Sequence, residues 1–144
     1  MNFETEALPR VPIMGKTELP NLTYTHTRVM VVDDERLIAD MFATILNHNG
    51  YRALPVYSAH DAVQHARMIR FDLALLGVRM PGMNGARTGI LIRRLQPSCK
   101  IVLWVEDIPP KIHSFAHTYG FRFEHVRLPI PPLDFLRTIQ QLSE

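Results

Sequence analysis

The sequence predicts an α/β fold, a doubly wound five-stranded parallel sheet of order 2-1-3-4-5 with helices on both faces. Three observations carry it. From residue 28 onward, short apolar runs alternate with stretches of helical period, five of each. The strand runs are nearly continuous in apolar residues, as strands buried on both faces require. Gly, Pro and Asn fall between the segments, where turns and helix ends need them. Strand–helix alternation implies right-handed crossovers, and order 2-1-3-4-5 is a common doubly wound solution.

Residues 1–27 form an expected irregular arm, and residues 28–144 the domain. The arm holds Pro9, Pro12 and Pro20 with scattered apolar residues and no steady period. Arg28-Val29-Met30-Val31-Val32 is the first strand and ends in Asp33-Asp34. The first helix carries Leu37, Ile38, Met41, Phe42, Ile45 and Leu46 as its expected buried stripe and closes at Asn49-Gly50. Tyr51 to Tyr57 is the second strand. Pro55 within it points to a sheet edge, where a missing N–H does little harm. Ser58 can cap the second helix, which carries Ala62, Val63, Ala66 and Ile69.

Asp72 to Leu76 is the third strand, and Gly77 to Gly85 a loop rich in Gly and Pro. The third helix presents Ile90, Leu91 and Leu95 and stops near Pro97. Lys100 to Val105 is the fourth strand, with Trp104 expected in the core near its end. Pro109-Pro110 can start a fourth helix that ends near Gly120. Phe121 to Leu128 is the fifth strand. The last helix follows Pro131-Pro132 and carries Leu133, Leu136, Ile139 and Leu142.

Composition excludes several classes. The 144 residues fit one domain, and 47% hydrophobic with 21% charged residues is an ordinary soluble balance. A net charge of +2 gives no electrostatic case for direct nucleic-acid binding. Cys99 is the single cysteine, so neither a disulfide framework nor a cysteine zinc cluster is available, and a buried inert thiol is its expected role. No apolar run approaches a membrane span, and the start lacks a signal-peptide pattern. The expectation is a soluble cytoplasmic protein. Of the seven histidines, His113 and His117 have helical i, i+4 spacing, but no third ligand accompanies them, and two solvated residues are expected.

In such a fold, ligands bind beyond the carboxyl ends of the strands, where the strand order reverses. That places Asp33 and Asp34 beside Gly77. The spacing alone leaves two readings open. The paired carboxylates can hold a hard cation such as Mg²⁺, or they can cap the strand end and the following helix.

The segment VMVVDDERLIADMFATILNHNGY (29–51), followed by FDLALLGVRMPGMNG (71–85), strongly resembles the receiver domain of two-component response regulators. Asp33 and Asp34 match the family's acid pair. The loop Arg79, Met80, Pro81, Gly82, Met83, Asn84, Gly85 nearly repeats the family's Met-Pro-Gly-Met-Asp-Gly type loop. The likeness covers about residues 28–143 and implies the flavodoxin-like (βα)5 architecture already inferred.

The departures from the family decide the functional expectation. The resemblance places the phosphoryl-accepting aspartate at Gly77, which has no side chain. Asp72 cannot substitute, because it lies at the other end of the strand, about 16 Å away. The hydroxyl residue ending the fourth strand aligns with Val105, and the small residue after it with Glu106. The aromatic switch position aligns with Val126, and the phosphate-pairing lysine with Leu128. Acceptor, hydroxyl and lysine are replaced together. Asp33 and Asp34 without a third carboxylate should bind Mg²⁺ weakly at most, so no cofactor is expected.

The chain therefore reads as a stand-alone pseudo-receiver of phosphorelay or two-component signal transduction, not an enzyme, acting by phosphorylation-independent protein–protein interaction. A histidine kinase, another regulator or a second copy is the expected partner, with no membrane contact. By analogy, the partner face places Phe115, His117, Tyr119, Arg122 and Arg137 near one another. One alternative is an active receiver phosphorylated at an atypical site. Another is a flavodoxin-like cofactor-binding protein, which the acidic Asp33-Asp34-Glu35 loop disfavours as a phosphate cradle.

Overall fold

The computed structural model describes residues 27–105, 120 and 124–143. Five strands, β1 (Arg28–Val32), β2 (Arg52–Val56), β3 (Leu73–Gly77), β4 (Lys100–Val105) and β5 (Glu124–Arg127), form one parallel sheet. Its order is β2-β1-β3-β4-β5, as expected. Four helices are described: α1 (Arg36–Asn47), α2 (Ala59–Met68), α3 (Gly85–Leu95) and α4 (Pro132–Ser143). The helix expected after Pro109-Pro110 lies outside the described residues, as do residues 1–26. No described helix is long and apolar enough to cross a membrane.

Strand alternation sorts the core into two layers. Val29, Val31, Leu73, Leu75, Val102, Trp104 and Val126 face α1 and α4. Met30, Val32, Ala74, Leu76, Ile101 and Leu103 face α2 and α3. Full burial of such side chains stabilises the fold by about 1.5–3 kcal/mol each. Pro55 does occupy an edge strand, paired with Val31. Ser58 does cap α2, its hydroxyl accepting the Asp61 N–H at 3.0 Å. Cys99 is buried, and that burial pushes its thiol up to about 12, which keeps it protonated and unreactive.

Three helix stripes differ from expectation. On α1 the buried residues are Ala39, Phe42, Ala43, Ile45 and Leu46, whereas Leu37 and Met41 are exposed. Small Ala39 and Ala43 let the helix lie close to the sheet, and this turns Leu37 and Met41 outward. On α3, Leu95 is exposed and Leu91 half-buried, while Ala86, Thr88, Gly89, Ile90 and Ile92 make the contact. On α4, Phe135 joins Leu136 and Ile139 in the core, and Leu133 is only half-buried.

Candidate functional site

The carboxyl ends of β1, β3 and β4 open onto a cleft of about 600 Å³. Asp33, Asp34 and Glu35 line one wall, Gly77, Val78 and Arg79 the floor, and Leu128, Pro129 and Ile130 the far wall. Asp33 and Gly77 thus come together as the strand order implies. Asp34 does not cap α1. Glu35 holds the N-cap position without a side-chain cap bond, and Asp33 Oδ1 accepts the Glu35 N–H at 2.9 Å. Burial is the main cause that raises the Asp33 carboxyl above its ordinary value. The Glu35 N–H opposes the rise, and the neighbouring charges of Asp34 and Glu35 add to it.

Gly77 ends β3 in register with Trp104 of β4. Register partners in a parallel ladder send side chains to the same face, so the indole passes directly beside Gly77. A Cβ built on Gly77 would stand 3.0 Å from Asp33 Oδ2 and 3.2 Å from Trp104 Nε1. Trp104 is held from behind by Phe42 at a centroid distance of 4.6 Å, and Phe42 in turn meets Phe135 at 4.5 Å. The indole Nε1–H is buried and has no hydrogen-bond partner among the described residues. Trp104 was expected in the core; that its polar edge borders the place of a residue-77 side chain becomes visible only through the β3–β4 register.

The other candidate positions fall into place around this pair. Val126 is buried beside Trp104, its register partner. Leu128 is half-buried, packed on the α1–α4 core layer, and precedes a cis Pro129. The Val105 backbone ends β4. Arg79 is exposed at the cleft, and Met80 is buried in the opposite core layer. Gly82 has a φ of +84°, and Pro81 is exposed beside it. Gly85 starts α3, where its N–H donates to Val78 O at 3.0 Å. Arg137 is exposed on α4. Glu106, Phe115, His117, Tyr119 and Arg122 lie outside the described residues.

The donor set fits a Mg²⁺ site poorly. Mg²⁺ demands near-octahedral oxygen ligation. Gly77 supplies no side-chain oxygen, an N–H donor borders that corner, and no group of three His, Cys, Asp or Glu side chains gathers among the described residues.

Residues 29–118 match the response regulator receiver domain family. The chain belongs to that family. It is 36% identical over 121 residues to the transcriptional regulatory protein ZraR of Salmonella typhimurium, covering 81% of this chain and 25% of that protein. It is 28% identical over 122 residues to the CAI-1 autoinducer sensor kinase/phosphatase CqsS of Vibrio cholerae, covering 82% of this chain and 17% of that protein. The receiver chain therefore spans a quarter or less of either relative. Among solved structures, a CheY-like receiver domain protein from Methanospirillum hungatei JF-1 superposes with a TM-score of 0.75 at 24% identity, over 83% of this chain and 94% of that one. Chemotaxis protein CheY4 of Vibrio cholerae superposes at 0.73 and 23% identity, over 82% of this chain and 99% of that one. These two likenesses concern the fold.

Proposed function

We propose that this receiver domain does no phosphoryl chemistry and acts in two-component signalling through protein contacts made in a single conformation. The observation that carries the reading is Gly77 at the end of β3, with Asp33 Oδ2 and Trp104 Nε1 bordering the space where a side chain would begin. Glycine offers no nucleophile, so no aspartyl phosphate can form there. Leu128, at the position the resemblance gives to the phosphate-pairing lysine, puts an uncharged side chain on the cleft wall. On this reading the domain is not an enzyme and needs no Mg²⁺. Its partner is a histidine kinase, another regulator or a second copy of the chain. Similarity to a sensor kinase/phosphatase and to a transcriptional regulatory protein supports that range of partners.

The test is incubation of the whole chain with a small phosphodonor and Mg²⁺, followed by intact mass measurement. The expected result is an unchanged mass. A stable gain of about 80 Da, one phosphoryl group, overturns the reading. Peptide mapping of such an adduct to another side chain would establish an active receiver with an atypical acceptor.

A further inference from the structure

Four large apolar side chains stand exposed among the described residues: Leu37 at 84%, Met41 at 48%, Met68 at 84% and Leu95 at 41%. They fall into two pairs at opposite ends of the sheet. Leu37 and Met41 lie one turn apart on α1, at the end where the strands finish. Met68 ends α2, Leu95 ends α3, and both line a groove of about 330 Å³ at the end where the strands begin.

Among the described residues, the two pairs have neighbours of opposite charge. Exposed Asp34 and Glu35 precede the Leu37–Met41 pair, and exposed Asp40, on the next turn, accepts the Tyr57 hydroxyl. The cation on that stretch, Arg36, is turned over the Tyr57 ring, 4.3 Å from its centroid. Exposed Arg67 and Arg70 line the groove beside Met68, and exposed Arg94 precedes Leu95. Among the described acids at that end, Asp72 accepts the Arg28 N–H at 2.8 Å, and Glu124 lies at the start of the edge strand β5. The groove is also rigid. Gln96 donates from Nε2 to Ala66 O and Ile69 O at 2.7 and 2.6 Å and accepts the Phe71 N–H at 2.8 Å, pinning the two helix ends together.

We propose that these surfaces bind each other, so that the acid-ringed Leu37–Met41 patch of one copy seats on the base-ringed Met68–Leu95 groove of a second. This names the partner within the interaction role proposed above and rests on that role. Each patch supplies what the other lacks: apolar contact at the centre and opposite charge at the rim. Because the patches lie at opposite ends, the contact is head-to-tail. It leaves one free patch at each end of a pair, and the assembly grows instead of stopping at a two-fold dimer.

The test is sedimentation of the whole chain across concentration and salt, with two variants at exposed positions. Leu37→Arg puts a cation in the acidic patch, and Met68→Glu puts an acid in the basic groove. The wild-type protein is expected to form species larger than dimers at low salt, and association should weaken roughly tenfold or more as salt shortens the screening length. Each variant alone is expected to be monomeric. Mixing the two is expected to restore association, since the intact groove of one meets the intact patch of the other. A wild-type monomer at every concentration overturns the proposal. So does assembly that both variants leave intact, or that mixing fails to rescue. Circular dichroism checks that both variants are folded, and none of these results bears on the phosphodonor experiment.

Discussion

Gly77 and Gly85 lie at the two ends of one loop, yet they are glycines for different reasons. At Gly85 a Cβ would stand 2.2 Å from Gly77 O and 2.9 Å from Gly77 C, both backbone atoms. At Gly77 a Cβ would stand 3.0 and 3.2 Å from two side chains. Backbone in the centre of a sheet cannot move aside, whereas a half-buried carboxylate can. Gly85 therefore belongs to the architecture, and its match to the family loop follows from the fold. Gly77 is a choice made at the site, and the fold would survive other residues there.

The largest effect is expected from Gly85→Ala. The overlap with Gly77 O has no side-chain remedy, so α3 must lift from β3. We expect a loss of about 3 kcal/mol or more, read as a lowered urea midpoint. Gly89 of α3 lies between the two cases. Its Cβ would meet Ile101 Cγ2 at 2.6 Å and Leu76 Cδ1 at 3.2 Å, side-chain atoms in a fully packed layer. Overpacking of this kind costs about 1–3 kcal/mol, and the better helix propensity of alanine offsets up to about 1. A net loss of about 1–2 kcal/mol is expected for Gly89→Ala in the same melt.

At Gly77 the two neighbours differ in how far they can yield. Asp33 is half-buried at the cleft mouth, but Trp104 is wedged against Phe42. Gly77→Asp should therefore fold, be destabilised by about 1–3 kcal/mol, and accept phosphate poorly. Trp104→Val alone leaves a large cavity and costs about 3 kcal/mol. Combined, the two changes should cost less than their sum by about 1 kcal/mol, because the valine releases the space the aspartate needs. A strictly additive double-mutant cycle would show that Trp104 does not restrict residue 77.

Much of the architecture was legible because it rests on strong, local signals. The apolar runs of β1 and β4, the Ser58 cap and Pro55 at an edge each carry their own physical reason within a few residues. The outward turn of Leu37 and Met41 was not legible. Leucine and methionine dominate a hydrophobic reading, while Ala39 and Ala43, which set the helix orientation by close approach, contribute little to it. At the cleft, the meeting of Asp33 with Gly77 followed from strand order. The bordering indole did not, since it depends on a β3–β4 register that couples residues far apart in sequence.

The smallest expected effect concerns the neighbour that can yield. Burial raises the Asp33 carboxyl above the ordinary 3.8. At pH below 3.8 the group is protonated in both folded and unfolded chains and makes no difference to stability. Between 3.8 and the raised value, the folded chain holds a proton that the unfolded chain has released, so stability falls as pH rises through that window. Above it, ionised Asp33 is a constant penalty. Asp33→Asn removes the charge and keeps an oxygen for the Glu35 N–H. The variant should thus gain on the wild-type protein as pH rises from about 3 to about 7, with solvent screening limiting the gain to about 0.5 kcal/mol. Urea midpoints at both pH values measure it. A gain would mean that Asp33 is held at the cleft against its own preference for water, whereas a variant that loses ground at neutral pH would mean that Arg79 or another cation already compensates the charge.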